Sequence, residues 1–477
     1  MKFKRYILHF FILIVLLFSV SAIAASDLND SFNVDVLKDV PVNKGTYSDF
    51  YYDSFNESEN FNLEKDYIFN NQSDSAFVGG IGINKKNFVI NGNGHTIDCN
   101  NQARALKFNE TGTINNLIIK NGVHEKGSAI LSYSTLTLNN VTFINCSWNE
   151  KNSGAVYVDE TTLNINNCKF IDNAGGEGAS ITALDSSVNI DKSAFESNSD
   201  KIIKGQIYLY NTNTTITESD FSNTVSKYAT AIFAEGEGNL NISKSKFKNL
   251  HANKTAGAIA AKLLDSLIIS QCEFDNISSE KNGGAIYADI NGNSKDGIGF
   301  VKITSCSFNK CYSEFGGAVL QLAGNLTISN SNFTSNKAEY DGGAIYTSFA
   351  DVEIINSKFI SNILVDDVSY GGAGYFDKGN ITIRENIFKD NFGLNVSTIY
   401  GYDSNLNLQN NYFNNPSNVT SIYTVFGKVI CDDKNNFTND LLSFNNTNYN
   451  YNFENTAKEL ILLNNSLSFD ELLKNLI

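Results

Sequence analysis

The chain has 477 residues and a formal net charge of −15; an excess of acid that large argues against nucleic acid and anionic membrane surfaces as partners. Only two prolines occur, so Pro-rich linkers between modules are absent, while 70 asparagines supply turn chemistry from end to end. Ile, Phe, Tyr, Val and Thr fill the short stretches between turns, which is the composition of an all-β chain.

At the start, Lys2, Lys4 and Arg5 precede the apolar run Tyr6–Val20, and Ala22-Ile23-Ala24 supplies a small-x-small cleavage site. Residues 1–24 therefore read as a secretory signal peptide, which predicts a secreted, extracellular protein associated with the cell surface. Its removal takes away three positive and no negative side chains, so the net charge goes from −15 to −18. No later stretch is apolar enough to span a bilayer, and Leu460–Leu463 is the longest apolar run near the end. Residues 25–76 are irregular, acidic and aromatic (Phe50-Tyr51-Tyr52), and read as a leader and cap in which Phe61–Phe69 covers the first coil of a repeat region.

Residues 77–431 repeat. The segment Asn325–Asn336, NLTISNSNFTSN, returns as LNINNCKFIDN from Leu163, VNIDKSAFESN from Val188, LNISKSKFKNL from Leu240, VEIINSKFISN from Val352 and ITIRENIFKDN from Ile381. Its aromatic anchors are Phe143, Phe170, Phe195, Phe221, Phe247, Phe274, Phe308, Phe333, Phe359, Phe388 and Phe413, spaced 25 to 34 residues apart and mostly near 26. Ile119 and Ile97 continue the series upstream. Such a period marks a solenoid. In Leu326-Thr327-Ile328 apolar and polar residues alternate, Ser331 and Phe333 point inward again after a turn, and neither stretch has helical spacing. The fold predicted is all-β, a single-stranded parallel β-helix of about thirteen coils of about 26 residues, a rod of ~60 Å at ~4.8 Å per coil. Residues 432–477 read as an Asn-rich tail. In it Ser468-Phe469-Asp470-Glu471 is a capping-box signature, and Leu472, Leu473, Leu476 and Ile477 come after it at helical spacing. This predicts a short amphipathic helix closing the last coil, with a dimerisation helix as the rival and the oligomeric state left open.

Stacked coils turn sequence positions into columns. Two residues before each Phe runs Val141, Cys168, Ser193, Ser219, Ser245, Cys272, Cys306, Ser331, Ser357, Asn386 and Asn411, where cysteine alternates with serine as a small buried side chain. Seven cysteines, three of them in a packing column, do not make a disulfide framework, and without C-x-x-C they do not make a zinc site. Asn173, Asn198, Asn336, Asn362 and Asn391, three residues after the Phe, predict an amide ladder at a coil corner.

The pairing of F-x-x-N (Phe333–Asn336, Phe359–Asn362) with G-G-A-[IV] (Gly283–Ile286, Gly316–Val319, Gly342–Ile345) resembles the repeat of polymorphic outer-membrane proteins. The opening coil FVINGNGHTIDCNNQAR, Phe88–Arg104, resembles the first coil of adhesin-like surface proteins of methanogenic archaea. Together these resemblances cover roughly residues 61–430. They imply a right-handed, pectin-lyase-like β-helix that is secreted and acts in attachment. No β-barrel translocator and no wall-binding or immunoglobulin-like repeat is read after the coils, which sets the sequence apart from the autotransporter pattern and leaves its anchoring open.

Parallel β-helices also serve as polysaccharide lyases, hydrolases and epimerases, a reading that would require catalytic groups. Arg104 and Arg384 are the only arginines after the signal, and Arg384 alternates with inward Ile381 and Ile383. Asp366-Asp367 and Asp432-Asp433 are the best carboxylate pairs, but neither finds an acidic partner one coil away. His95, His124 and His251 fall in turns and loops without metal-ligand company. Gly79-Gly80-Ile81-Gly82 lacks the Asp of a calcium repeat, and Glu235-Gly236-Glu237 reads as a polar turn. No cofactor, metal or catalytic residue is expected. A binding surface fits better. If the Ile of GGAI faces inward, the next residue faces out, giving the stripe Tyr157, Tyr208, Phe233, Tyr287, Tyr346, Tyr375 and Tyr400. Such rings either stack against sugars or a partner, or stack on one another. The sequence thus predicts a non-catalytic, adhesin-like protein whose partners are cell-surface glycans or proteins of other cells. A β-helix polysaccharide-active enzyme and a purely structural envelope component are the alternatives. Sequons such as Asn140, Asn276, Asn325 and Asn380 are abundant but arise from the composition.

Overall fold

A computed structural model describes residues 44–148, 154–199, 201–290, 299–366, 369–393, 398–416, 420–432 and 434–438, and the backbone of 441–451 and 459–463. The expected signal peptide, the expected leader up to residue 43, Asp367, Asp433 and the C-terminal helix expected after Ser468 lie outside the described residues.

Period-two alternation builds three short strands per coil, as in Ile286–Asp289, Phe300–Thr304 and Ser307–Asn309. Each stacks in parallel on its equivalent in the next coil: Ile286 on Val319, Ile303 on Ile328, Phe308 on Phe333. The first two strands of the coils share one long sheet, and the Phe strands form a second. The result is the parallel β-helix that the repeat predicts, with about 14 turns.

Its core is a set of columns. Twelve phenylalanines from Phe143 to Phe437 stack with ring centroids 4.6–5.0 Å apart and planes within 13° of parallel. Phe437 extends the expected series, and its N-x-F context (Asn435, Phe437) is visible in the sequence. Burying each ring stabilises the fold by about 1.5–3 kcal/mol, and each stacked pair adds about 0.5–1.5 kcal/mol.

The column two residues before the Phe does more than fill space. The Cys168 amide donates to Ser193 Oγ at 3.0 Å, the Ser193 amide to Ser219 Oγ at 3.1 Å, and the Ser357 amide to Asn386 Oδ1 at 2.8 Å. Each hydroxyl then donates to the carbonyl two residues before it, as Ser193 does to Asp191 at 2.9 Å. Cys168 plays the same part through sulfur, accepting from Val141 N at 3.4 Å and donating to Asn166 O at 3.4 Å. The corner between the two strands puts its residue in the left-handed region coil after coil, at Asn167, Lys192, Glu218, Lys244 and Asn330 among others, with φ between 47° and 53° at these five. It therefore turns backbone donors away from the sheet, and the column side chains satisfy them. All seven cysteines are buried free thiols, and burial pushes the Cys168 thiol up to about 11, keeping its proton for donation.

The second corner carries the expected amide ladder. Asn336 Nδ2 donates to Asn362 Oδ1 and Asn362 Nδ2 to Asn391 Oδ1, both at 2.9 Å, and Asn362 also reaches Phe333 O at 3.0 Å. Asn198 is not part of it. It is exposed, and Ser197, one residue earlier, faces inward and donates to Asn173 O at 3.0 Å.

The ladder passes both expected boundaries, which accounts for the extra turn. Asn60–Asn62 pairs with Phe88–Asn91, and Lys44–Thr46 with Asp66–Ile68, inside the segment read as cap. Strand Leu441–Tyr451 stacks on Thr420–Cys431 inside the segment read as tail. The covering element in the leader is a helix, Tyr47–Phe55, started by a capping box between Thr46 and Asp49. Asp74 accepts from the amides of Tyr47 (3.1 Å) and Ser48 (3.0 Å), while Lys85 Nζ donates to the carbonyls of Ser54 and Phe55 at the other end. Phe50 packs edge-on against Phe61 and Tyr67 at 5.0 Å, closing apolar surface that an open coil would expose.

Both kinds of column can be tested by substitution. Phe274→Ala should lower the unfolding free energy by about 3–5 kcal/mol, read by denaturant titration. Cys168→Ser should be nearly neutral, whereas Cys168→Val, which leaves the Val141 amide without an acceptor, should cost about 1–3 kcal/mol.

Candidate functional site

The residue after each inward Ile does point away from the core, and the ladder lines these residues up as Leu131, Tyr157, Thr182, Tyr208, Phe233, Ala260, Tyr287, Leu320, Tyr346, Tyr375, Tyr400 and Tyr423. The expected stripe is therefore one column, but it is not an open aromatic face. Tyr157, Tyr208, Phe233 and Tyr400 are 1–6% exposed, and Tyr287, Tyr346 and Tyr375 are half-buried. Residues at the corners before these strands pack over part of the column, where Tyr208, Phe233 and Ala260 make a second apolar cluster with Ala229 and Ala256, apart from the main core.

The two halves of the column differ. In the N-terminal half, lysines lie over the rings: Lys126 Nζ is 5.8 Å from Tyr157, Lys204 4.6 Å from Tyr208 and 5.0 Å from Phe233, and Lys262 5.9 Å from Tyr287. Lys204 also bridges Glu177 (3.3 Å) and Glu235 (2.9 Å), and Tyr208 donates to Glu235. Burial opposes ionisation of Glu235, but hydrogen bonds from Tyr208 and Lys204 outweigh it and hold the carboxyl below its usual range. In the C-terminal half the tyrosines stack on one another, Tyr346 on Tyr375 and Tyr375 on Tyr400 at 4.9 Å, and Tyr400 on Tyr423 at 5.5 Å. Tyr370 leans on Tyr400 at 4.5 Å, and Phe315 meets Tyr346 edge-on at 5.9 Å. Mutual stacking occupies the ring faces that a sugar would use, leaving edges and hydroxyls to solvent.

Beside this column runs a second that sequence reading missed. Two residues on, the same face carries Asp159, Glu235, Asp289 and Asp377, each next to its own aromatic: Tyr157, Phe233, Tyr287 and Tyr375. The signal was the alternation aromatic-x-acid, as YVD, FAE, YAD and YFD. Asp341 adds a carboxylate at the corner before Tyr346. Burial raises its pKa to about 6, with Asp366 adding to the rise and the Tyr370 amide, at 2.8 Å, opposing it.

The other candidates are held in structural roles. Arg104 is buried, with Nε on Gly127 O and Nη1 on Gly79 O, both at 2.7 Å, and Nη2 on His124 and the carbonyls of Glu125 and Lys126. Desolvation there lowers its pKa to about 10. His95 pairs with Asp66 at 3.1 Å, and His251 with Ser278 Oγ at 2.8 Å. Arg384 sits on the surface 3.7 Å from Glu353 and Glu385, and Asp432 Oδ1 accepts from the Asn410 amide and from Asn435 Nδ2. Among the described residues no three His, Cys, Asp or Glu side chains come together as a metal-binding group.

With its right-handed coils this is a right-handed parallel β-helix, and residues 181–359 match a family described as the right handed beta helix region. No curated protein matches the chain. A solved structure, a double mutant of the periplasmic alginate epimerase AlgG, is similar over 86% of this chain and 83% of that chain, at 10% identity and a TM-score of 0.30, too low to carry an argument.

Asp341 has a pH signature. Its folded pKa of about 6 exceeds the ordinary 3.8, so its favourable contribution is complete below pH ~4 and is lost as the pH rises through about 6. Asp341→Asn keeps an acceptor for the Tyr370 amide and removes the buried charge. It should raise the melting temperature at pH 7.5, a gain on the order of 1 kcal/mol after solvent screening. That gain should vanish near pH ~4 in a pH series of thermal melts.

Proposed function

We propose that the protein is a secreted, cell-surface-associated, adhesin-like β-helix that binds glycans, or proteins of other cells, along a lateral face and performs no catalysis. The observation that carries this reading is the aromatic–acid pairing on one face in four of the coils, Tyr157/Asp159, Phe233/Glu235, Tyr287/Asp289 and Tyr375/Asp377, whose carboxylates are half-buried and whose Tyr287 and Tyr375 are half-buried too. A linear array suits an extended partner, because each occupied coil raises the effective concentration for the next. Carboxylates beside tyrosines accept hydrogen bonds from sugar hydroxyls or amines, and with a net charge of −15 they favour neutral or amino glycans over polyanions. The signal peptide expected from the sequence and the resemblance of the repeat to that of adhesin-like proteins support the same reading.

The test is an array of neutral, amino and acidic glycans run beside a reducing-end assay on mixed polysaccharides. Neutral or amino glycans should bind without new reducing ends. Tyr287→Phe with Asp289→Asn, which keeps the ring and the side-chain volume, should weaken binding about tenfold at an unchanged melting temperature. Release of reducing ends, or of unsaturated products, would move the assignment to a polysaccharide-active enzyme.

A further inference from the structure

The corner after the aromatic–acid strand is left-handed in nearly every coil, at Glu160, Asp185, Asn211, Gly236, Leu263, Ala323, Phe349, Lys378, Asp403 and Phe426. Asn, Asp and Gly suit that conformation; a bulky aromatic is strained there. Two coils nevertheless place phenylalanine at this corner, Phe349 at φ 54° and Phe426 at φ 53°. Both are also turned to solvent, 64% and 50% exposed, so neither regains the strain through burial.

These two rings belong to one neighbourhood. Ser348, Asp377, Tyr402 and Val425 are in register, so the next residues, Phe349, Lys378, Asp403 and Phe426, sit on four successive coils, ~14 Å from first to last. Lys378 Nζ lies 4.5 Å from the Phe349 ring, exposed Asp403 comes next, and Tyr402 stands edge-on to Phe426 at 5.8 Å. Two residues past the corner, the outer face forms a shallow groove lined by Asn380, Thr382, Asn405, Asn407, Lys428 and Ile430. Asn405 Nδ2 donates to Asn380 Oδ1 at 3.0 Å, which orients a row of amides along that groove.

We propose that this ridge and groove, from Phe349 to Phe426, form a carbohydrate subsite that takes three or four units of a neutral linear oligosaccharide. Sugar rings stack their C–H faces on Phe349 and Phe426, and the amides, Lys378 and Asp403 take the hydroxyls between them. This inference rests on the glycan-binding reading above and names the place where rings of the coils still face solvent, Phe349 beside Lys378 and Phe426 beside Tyr402, since those of Tyr346, Tyr375 and Tyr400 are spent on each other. A protein partner fits less well, because a ridge ~14 Å long is short against the roughly 20–30 residues a side that a stable interface uses.

The experiment uses Phe349→Asn and Phe426→Asn, singly and together. Asparagine is at home in the left-handed region, so these changes should hold or raise the melting temperature while weakening binding by about tenfold or more. The probes are tetrasaccharides of glucose, mannose, xylose and N-acetylglucosamine, titrated calorimetrically against unglycosylated protein because Asn380 lies in a sequon. Binding by the wild type, lost in the ridge variants and retained when Asn198→Ala, at an exposed position, is made instead, supports the subsite. Three outcomes overturn it. A fall in melting temperature would give the rings a structural role. Loss of a wild-type dimer in the ridge variants, seen by sedimentation, would make the occupant a second copy. Unchanged affinity in the ridge variants, with loss in the Tyr287/Asp289 pair, would remove the ridge but leave the glycan reading standing; a wild type that binds no glycan removes both.

Discussion

Every coil is carried onto the next by nearly the same small translation along the rod, and that repetition at strand spacing governs the rest of the structure. A side chain must be compatible with a copy of itself one step above and below. Phenylalanine meets the condition by lying in parallel planes, 4.6–5.0 Å apart from Phe143 to Phe437. Serine, asparagine and thiol meet it by accepting a hydrogen bond from the neighbouring coil's amide while donating to their own strand. Both solutions involve only adjacent coils, so each coil depends chiefly on its immediate neighbours, while the columns pack side by side into one continuous core.

The same rule decides what the outer faces can do. Aromatic residues in register on a flat strand find each other before they find a ligand, as Tyr346, Tyr375, Tyr400 and Tyr423 do. Where a coil interrupts the run, with Thr182 or Ala260, the chain's own lysines and folded-over segments fill the space instead. Solvent-facing rings survive at the corners, outside the column. Phe349 and Phe426 are kept apart by Lys378 and Asp403, and neither can stack on a copy of itself.

Much of this is legible in the sequence because repetition is self-checking: Phe333 and Phe359 mean little alone, but a series of such residues at one interval fixes strands, inward positions and corners together. What a column does chemically is less legible. Cys168 reads as a filler until the left-handed corner at Asn167 leaves amides to be satisfied. The stripe from Tyr157 to Tyr400 lies on the expected side of the sheet, but its burial depends on segments whose paths the period does not encode. The helix Tyr47–Phe55 is hidden by its length, although Thr46-Tyr47-Ser48-Asp49 carries its start signal. The aromatic-x-acid pairs stand in plain view, yet an acid two residues after a ring is an ordinary solvated position until the ladder aligns it with others.

The coil between Phe274 and Phe308 is the longest in the series, 34 residues against 25 for its successor, yet their rings stack at 4.6 Å, no looser than Phe308 on Phe333 at 4.8 Å. Loop length at a corner is thus decoupled from the architecture beneath it. Such a rod behaves as a rack with interchangeable fittings: corners can lengthen, shorten or change sequence from one descendant to the next while the columns hold their spacing. Under the proposed role at a cell surface, that separation would let the exposed surface diversify under selection without re-solving the folding problem each time.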